Sequence, residues 1–450
     1  MANYDVVIIG GGPAGIIAGV TGLKQNPGKS FLMIKEEEKG LVPCGIPYVF
    51  HDIGSVDKNI MGPKPFVDAG GKVVVDTVNK IDVENKKVII SSGDEFNYDK
   101  LVFATGSEVV IPTFIPGHDL DGVEYIRKSY NRIKELKEKT DIAQNIVVIG
   151  GGFIGVEMAE QLSKAGKNVS LVEMEKYCLS KAFSENICQV AEEAILNSGV
   201  KLHAGVKVAK IEGENGKVKS VLLENGETIV TDIVIATIGY KPRVELAKSV
   251  GIKINKKGAI LVDNYMRTSA DNVYAAGDCA GTKGFITGNV DSVMLASTAT
   301  AEARTLGYNI DSIKLKRNMA GTLSVFSTEI AGKAFASAGA IEHSAKGSNI
   351  DYSVGSFKDA DRHPGSFADT SELYLKLIVS PSDGVIIGAE MYGGKSIGEL
   401  VNVLALTIQK SVSVFELVTF QFGTHPLLTG APTKYILVKA AENAIVNMKM

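Results

Sequence analysis

Two short glycine clusters, about 140 residues apart, carry the first chemical signal in this chain. Residues 6–15 read VVIIGGGPAG and residues 147–155 read VVIGGGFIG, so each cluster is an apolar run followed by the spacing GxGxxG. In such a cluster the first glycine permits a tight turn, the second lets the backbone approach a diphosphate, and the third lets helix pack on strand. The start of that helix favours an anion. Two dinucleotide sites are therefore predicted, on the glycines Gly10, Gly12, Gly15, Gly150, Gly152 and Gly155.

A single cysteine in the segment LVPCGIPYVF, Cys44, carries the second signal. We expect it to head a helix, whose dipole would stabilise the thiolate and lower the thiol's pKa below about 8.5. Such a thiolate can attack a disulfide or be oxidised to a sulfenate. The chain contains no CxxC pair, which excludes a zinc ribbon, a thioredoxin-type site and a disulfide framework. The remaining cysteines are predicted to be inert: Cys178, Cys188 and Cys279.

The elements that must position the glycines form two βαβ units. Helices are predicted over 14–24 and 153–164, and each is followed by an apolar strand. The second of these strands ends at Glu173, 23 residues after Gly150, where a carboxylate accepts the ribose 2′-hydroxyl and repels a 2′-phosphate. This predicts a preference for NADH over NADPH. In the first unit the same place holds Lys35, and its neighbour Glu36 is the predicted cofactor-binding carboxylate.

Composition limits the class of protein. The chain has 450 residues, 45% of them hydrophobic and 22% charged, which is typical of a globular protein and excludes disordered and fibrous classes. The formal net charge of −3, without a basic tract, argues against nucleic-acid and membrane partners. The N-terminus has no secretory pattern and no apolar run of about 18 residues occurs, so we expect a soluble, cytoplasmic protein.

The chain pattern changes after the second unit. The segments VDNYMRTS and NVYAAGDCAG resemble a return to the first unit, and from residue 320 onward β-rich alternation gives way to two predicted helices. The C-terminal part has no nucleotide motif. It is therefore interpreted as a separate α+β domain.

The order of the motifs resembles that of the flavoprotein pyridine nucleotide–disulfide oxidoreductases over essentially the whole chain. The motifs are the first GxGxxG, ATGS at 104–107, the second GxGxxG, ATIGYKP at 236–242 and VYAAGDCA at 273–280. The resemblance implies an α/β fold with two Rossmann-like domains, for FAD and NAD(H), and a C-terminal α+β dimerisation domain. The implied boundaries are 1–112 and 244–319 for the FAD domain, 113–243 for the NAD(H) domain and 320–450 for the dimerisation domain.

The resemblance also implies site residues. Asp278 matches the family's contact to the flavin ribityl chain, Thr105 and Gly106 line the FAD cleft, and Glu157 lies near the nicotinamide. No second cysteine lies five residues from Cys44, since position 49 is Val and position 39 is Lys. The chain is thus similar to the single-cysteine branch, and PCGIPY is similar to the coenzyme A–disulfide reductases and the NADH:polysulfide or persulfide reductases.

Three departures bear on the substrate. The stretch GGGPAGIIAG lacks the His of the peroxidase and oxidase members, and the helix after it carries Lys24 in place of phosphate-binding arginines. The C-terminal segment FGTHPLLTG carries His425 and no Tyr. Relatives with two cysteines use such a His in the partner subunit's site. His425 and Tyr48 are therefore the two predicted proton donors to a leaving thiolate.

The resulting prediction is a homodimeric FAD enzyme. NADH would reduce the flavin, and the flavin would reduce Cys44 from a mixed disulfide, persulfide or sulfenate. Three alternatives remain open: an NADH oxidase acting on oxygen or a quinone, a reductase of a small electron-transfer protein, and a redox sensor that responds to the oxidation state of Cys44. The sequence leaves the acceptor undecided.

Overall fold

The first sheet is built mainly by residues 2–112 of the computed structural model, which describes residues 2–290, 293–316 and 321–448. The strand order is β5-β2-β1-β8-β7-β6, and β1 pairs in parallel with both of its neighbours. The elements are the strands β1 (Ala2–Ile9), β2 (Phe31–Lys35), β3 (Gly40–Leu41), β4 (Ile60–Met61), β5 (Lys72–Val75), β6 (Val78–Asp82), β7 (Lys87–Ile90), β8 (Glu95–Phe103) and β9 (Ser107–Val109), and the helices α1 (Pro13–Gln25) and α2 (Lys64–Asp68). All five residues of β2 are buried, as expected of a parallel strand covered on both faces.

A second parallel sheet follows in residues 113–243, in the order β10-β17-β11-β12-β13, with a small antiparallel sheet of β14, β15 and β16 beside it. Its elements are the strands β10 (Val123–Tyr125), β11 (Asn145–Ile149), β12 (Asn168–Glu173), β13 (Lys201–Ala204), β14 (Val208–Glu214), β15 (Lys217–Leu223), β16 (Thr228–Val230), β17 (Ile233–Ala236) and β18 (Tyr240–Pro242), and the helices α3 (Tyr130–Ile142), α4 (Phe153–Lys164) and α5 (Glu185–Asn197). The sheet places the carboxyl ends of β11 and β12 side by side, so the second glycine cluster and Glu173 meet at one edge.

The chain then returns to the first sheet, because β20 pairs in parallel with β8. The elements of this part are α6 (Glu245–Ser249), β19 (Ile260–Leu261), β20 (Val273–Ala275), β21 (Ala280–Gly281) and α7 (Ala296–Asn309). Helix α7 packs along α1, so the two parts of the first unit share one core. The predicted boundary between residues 319 and 320 lies outside the described residues.

The C-terminal part is an antiparallel sheet in the order β22-β23-β26-β25-β24, with helices packed on it. Its elements are the strands β22 (Val325–Ile330), β23 (Lys333–Gly339), β24 (Ser353–Ala360), β25 (Glu372–Val379) and β26 (Ile386–Gly393), and the helices α8 (Glu342–Gly347), α9 (Ile397–Gln409), α10 (Val414–Leu417) and α11 (Ile436–Asn447). The last helix, predicted from the sequence over 432–447, begins four residues later than expected, because Pro432–Lys434 forms a 3₁₀ turn and Tyr435 is extended.

The predicted α/β class, with two parallel-sheet units and a C-terminal α+β part, is confirmed. Among the described residues, every helix is too short or too polar to cross a membrane.

Candidate active site

The first glycine cluster has the backbone geometry that its spacing predicts. Gly10 has a φ of +115°, and a Cβ added there would lie 2.0 Å from the carbonyl oxygen of Ala104. A Cβ at Gly15 would lie 2.0 Å from the carbonyl oxygen of Gly10, so helix and strand meet at van der Waals distance. At Gly12 a Cβ would meet nothing within 4 Å. The backbone is thus tight where α1 joins the sheet and open where an anion must approach.

The second cluster repeats this arrangement. Gly150 has a φ of +108°, a Cβ at Gly155 would lie 1.8 Å from the carbonyl oxygen of Gly150, and Gly152 faces open space. At the end of β12, the Glu173 carboxylate accepts a hydrogen bond from the backbone N–H of Gly151 at 2.5 Å. The predicted ribose carboxylate is therefore held against the glycine loop.

The matching place in the first unit is different. Lys35, at the end of β2, is buried, and its Nζ donates to the carbonyl oxygen of Glu38 at 2.9 Å. The next residue, Glu36, is exposed and pairs with the guanidinium of Arg243 at 3.1 Å. The counterpart of the half-buried Glu173 carboxylate is thus an exposed carboxylate in the first unit.

The ATGS segment and the aspartate after Gly277 come together across the first cleft. Thr105 donates its hydroxyl to the carbonyl oxygen of Arg243 at 2.7 Å, and Gly106, with a φ of +71°, leaves the space beside it open. Asp278 accepts a hydrogen bond from Ser107 at 2.7 Å. Lys128 donates to the same Asp278 oxygen at 2.7 Å.

Cys44 lies in a 3₁₀ turn, Pro43–Gly45, and does not head an α-helix. An α-helix starting here would need an N–H at Pro47 to bond the carbonyl oxygen of Pro43, and proline has none. The carbonyl oxygen of Pro43 accepts instead from the N–H of Ile46 at 3.3 Å, and a second 3₁₀ turn, Pro47–Phe50, follows. The helix dipole predicted for this thiol is therefore not supplied by its own segment.

The expected lowering of the thiol's pKa is also wrong for the protomer. Desolvation by surrounding protein atoms, followed by the nearby Glu157 carboxylate, raises the pKa of the Cys44 thiol. Two features oppose this rise: the positive charge of Lys128 and a hydrogen bond from the backbone N–H of Ala296. Ala296 is the first residue of α7, so the positive end of a helix does face the sulfur, but from a segment about 250 residues away.

Tyr48 and Glu157 lie at the contact between the second 3₁₀ turn and α4. Burial, and then the carboxylates of Glu157 and Glu160, raises the pKa of Tyr48 well above its ordinary value, so its hydroxyl stays protonated. Burial likewise raises the pKa of Glu157 to about 7. Glu157 accepts a hydrogen bond from Thr328, on β22 of the C-terminal part, at 2.8 Å.

His425 is exposed, and its hydrogen bonds in the protomer stay within its own loop. Its Nδ1 accepts from the N–H of Leu427 at 3.2 Å, and its own N–H donates to the hydroxyl of Thr429 at 3.1 Å. The structure does not bring His425 together with Cys44 within one chain. Leu427 and Leu428 beside it are 50% and 67% exposed, so the loop presents apolar side chains outward.

The four cysteines, all of which the structure describes, differ in accessibility. Cys44 is exposed, whereas the other three have no exposed surface. Cys178 packs against Gly151, Cys188 lies inside α5, and the Cys279 thiol donates to the carbonyl oxygen of Phe103, the last residue of β8, at 3.4 Å. Only Cys44 can meet a substrate without unfolding.

Lys128 and Thr328, like Ala296, are residues that sequence reasoning missed. Lys128 contacts Asp278 and stacks over the ring of Tyr240, with its Nζ 4.7 Å from the ring centroid. Its positive charge also acts to lower the pKa of the Cys44 thiol. Its contact to Asp278 spans 150 positions and that of Thr328 to Glu157 spans 171. No local spacing signals either contact.

Both clefts fit the dinucleotides that the glycine clusters predict. Each has one open glycine next to the start of a helix of twelve or more residues, and neither helix has an acidic residue in its first turn, which would repel a diphosphate. The first cleft adds Asp278 and the backbone of residues 105–106, and the second adds Glu173. FAD in the first and NAD(P)H in the second are compatible with these donors and acceptors.

Comparisons with known proteins agree with this arrangement. A family model described as pyridine nucleotide-disulphide oxidoreductase matches residues 4–303, and the model of its dimerisation domain matches residues 327–436. An NADH oxidase of Methanocaldococcus jannaschii is 32% identical over 98% of this chain and 98% of its own. An NAD(P)H coenzyme A polysulfide/persulfide reductase of Pyrococcus horikoshii is 33% identical over 86% of this chain and 87% of its own.

A solved structure shares the whole fold. The NAD-dependent persulfide reductase from A. fulgidus superposes with a TM-score of 0.89 at 28% identity, covering 98% of this chain and 83% of its own. With two glycine-bounded clefts, one accessible cysteine and a matching C-terminal part, the chain belongs to the pyridine nucleotide–disulphide oxidoreductases, a family of enzymes that use FAD and NAD(P)H.

Proposed function

We propose that this enzyme uses NADH to reduce a small disulfide, persulfide or polysulfide through Cys44. The observation that carries the proposal is the accessibility of a single thiol beside the first cleft. Cys44 is exposed, and it lies close enough to Asp278, Lys128 and Glu157 for the charge of each to shift the pKa of its thiol. It therefore lies where the two clefts meet, while the other three cysteines are sealed in the core.

The protein residues have defined parts in this reaction. The Cys44 thiolate attacks a substrate sulfur, so a bond from Sγ to that sulfur forms and the S–S bond of the substrate breaks. The leaving thiolate, or hydrosulfide for a persulfide, takes one proton. FAD, when bound, supplies chemistry that carries two electrons from NADH to the sulfur site. Reduction of the mixed disulfide returns the Cys44 thiolate and a second thiol, so that RSSR, NADH and H⁺ give two RSH and NAD⁺.

The thiolate needs positive partners, because desolvation and Glu157 raise the thiol's pKa. Lys128 and the N–H of Ala296 supply them in this proposal, since both favour the charged form of the sulfur. A neutral Glu157, protonated below about pH 7, removes the nearest negative charge. These residues favour the ionised form of the Cys44 sulfur, and the thiolate is the group that reacts.

A preference for NADH is supported by the surroundings of Glu173. Its carboxylate has a remaining lone pair for a ribose hydroxyl and would repel a 2′-phosphate. The nearest lysine in that segment, Lys176, could offset this repulsion, but its charge is already paired with Glu185 at 2.8 Å.

We place His425 in the site of the partner subunit. The match of residues 327–436 to a dimerisation domain supports a homodimer, and the outward-facing Leu427 and Leu428 support an interface at this loop. Tyr48, protonated across the working pH range, is the alternative donor. A cytoplasmic location suits an enzyme that depends on a reduced thiol.

The trans arrangement has a direct test. We expect His425→Ala to slow disulfide turnover about tenfold or more and to leave FAD reduction by NADH unchanged, because hydride transfer needs no such acid. Mixing Cys44→Ser chains with His425→Ala chains should restore one intact site per heterodimer. Heterodimers without activity would show that the two residues act in one chain, whereas normal turnover in His425→Ala alone would show that His425 has no role.

A second candidate function is an NADH oxidase. The relative from Methanocaldococcus jannaschii, which aligns over 98% of both chains, is described as one. In this case Cys44 would cycle between thiolate and sulfenate. The missing His in GGGPAGIIAG argues against it.

Anaerobic NADH oxidation against coenzyme A disulfide, glutathione disulfide and polysulfide, compared with oxygen alone, separates the two functions. Cys44→Ser should reduce sulfur turnover to background, whereas Cys188→Ala, a change at a buried cysteine, should retain it. Mass analysis should find the substrate adduct on Cys44. Full sulfur turnover in Cys44→Ser would contradict the proposal.

The boundaries proposed with this function are 1–112 and 244–319 for FAD, 113–243 for NADH and 320–450 for dimerisation. They are supported by the sheets, since β10–β17 form their own sheets and β20 joins the first.

A further inference from the structure

Glu390 lies on β26, in the C-terminal part, and its side chain is fully buried although it is ionisable. Its carboxylate accepts hydrogen bonds from the backbone N–H and from the hydroxyl of Ser184, the second at 2.6 Å. Ser184 is the residue before α5, and its own side chain does not cap that helix. A carboxylate from another part of the chain thus satisfies the start of α5 and matches the positive end of its dipole.

Lys376, on the neighbouring strand β25, reaches the same helix start. Its Nζ donates to Oδ1 of Asn186, in the first turn of α5, at 2.7 Å and lies 3.6 Å from the Glu390 carboxylate. It also donates to Glu342 at 2.6 Å. Buried ion pairs are often no more stabilising than apolar residues of the same size. Stabilisation alone is therefore a weak explanation for this pair.

The start of α5 is connected to the second glycine cluster by hydrogen bonds. Phe183, which directly precedes Ser184, donates its N–H to the carbonyl oxygen of Leu179 at 3.1 Å. The N–H of Leu179 in turn donates to the carbonyl oxygen of Gly151 at 2.9 Å. Gly151 in turn donates to Glu173 at 2.5 Å. A shift at the start of α5 is therefore passed to the ribose carboxylate through the bonds from Phe183 to Leu179, from Leu179 to Gly151 and from Gly151 to Glu173.

We propose that Glu390 is a positioning residue for NADH: it holds the start of α5, and with it the 174–184 segment and the Gly151–Glu173 pair, in the form that binds the adenosine ribose. The role rests on the proposed assignment of the second unit to NADH and is independent of the electron acceptor. It makes the C-terminal part a component of the nucleotide site as well as a dimerisation domain.

The test is a steady-state assay with ferricyanide as the acceptor, so that sulfur chemistry does not enter. Glu390→Gln keeps the size of the side chain and removes its charge. We expect the KM for NADH to rise about five- to tenfold, kcat at saturating NADH to stay within about twofold and the FAD content to stay unchanged. The matched control is Glu342→Gln, which takes a carboxylate from Lys376 without touching Ser184. Its KM should stay within about twofold of the wild type.

Equal increases in KM in both variants would overturn the proposal, because the ion pair alone would then account for the effect. If Glu390→Gln does not fold, Ser184→Ala removes only one hydrogen bond and should raise the KM about two- to threefold. An unchanged KM in folded Ser184→Ala would also overturn it. Gly155→Ala tests the underlying assignment separately: normal reduction by NADH in that variant would show that NADH binds elsewhere.

Discussion

The two βαβ units share the geometry of their glycines and differ in the residues that surround it. In both, the third glycine lies so close to the first that an added Cβ would be 2.0 Å or less from its carbonyl oxygen. The second strand ends in Glu173 in one unit and in buried Lys35 in the other. At the fifth helical position, the second unit has Glu157 where the first has Ile17.

The comparison indicates that the glycines and the residues around them have different functions. The glycines serve what FAD and NAD(P)H have in common, a diphosphate at a helix start. We expect the ends of the strands to decide how the adenosine ribose is held, and the fifth helical positions to decide which side chain lies near the reacting atoms. A motif shared by both units can therefore identify two nucleotide sites without telling them apart.

The largest effect is expected from alanine at the third glycine of each unit. The purified wild type should be yellow, with about one FAD per chain. Gly15→Ala should lose the flavin, whereas Gly155→Ala should keep it and lose about 10²-fold in its reduction by NADH, because the added Cβ displaces the helix start. Flavin absorbance and anaerobic stopped-flow reduction measure both. Gly398→Ala, at an exposed glycine where a Cβ meets nothing within 4 Å, is the control. Loss of FAD in both cluster variants would show that the units are not independent.

A smaller effect is expected at Glu173. Glu173→Gln should reduce the ratio of kcat/KM for NADH to that for NADPH about tenfold, since a hydrogen bond to a charged group is worth roughly 1.5–3 kcal/mol. Glu175→Gln removes a neighbouring exposed charge and should leave the ratio nearly unchanged. Equal use of both nucleotides by the wild type would refute the assignment.

Glu157 should make the stability of the second unit depend on pH, an effect that Ile17 cannot have in the first. Its pKa is about 7 in the folded chain and near 4.5 unfolded, so the folded state binds the proton more tightly. The free energy of unfolding should therefore fall as the pH rises from about 4.5 to about 7, by on the order of 3 kcal/mol.

Glu157→Gln should flatten this slope, and Glu138→Gln, at an exposed residue of α3, should retain it. Urea unfolding at pH 5 and pH 8 measures the difference. Identical slopes in Glu157→Gln and wild type would mean that the carboxyl group titrates normally.

The smallest effect is expected at Glu36. Because it is exposed and already paired with Arg243, Glu36→Gln should weaken FAD binding by about threefold, with Glu38→Gln as the control. A loss greater than tenfold would show that Glu36 holds its ribose as firmly as Glu173 and would remove this difference between the units.

The parts of the fold that local patterns determine could be predicted. A stretch of about 25 residues is enough to recognise the glycine spacing, the apolar runs and Glu173 at the end of a strand. The helix expected at Cys44 was wrong for a local reason as well, the missing N–H of Pro47.

The contacts that complete the site could not be predicted. Lys128 meets Asp278, Thr328 meets Glu157 and the N–H of Ala296 meets Cys44 only because sheets and helices far apart in sequence pack together. Whether His425 reaches Cys44 depends on a second chain, which no periodicity within one sequence describes.

The contact between Ser184 and Glu390 has a consequence for synthesis. The two residues are 206 positions apart, and a ribosome adds roughly 5–20 residues per second, so about 10–40 s separate their emergence. Throughout that interval the start of α5 lacks its acceptor. The second unit of the nascent chain should therefore be protease-sensitive around residues 174–184 until Glu390 has emerged.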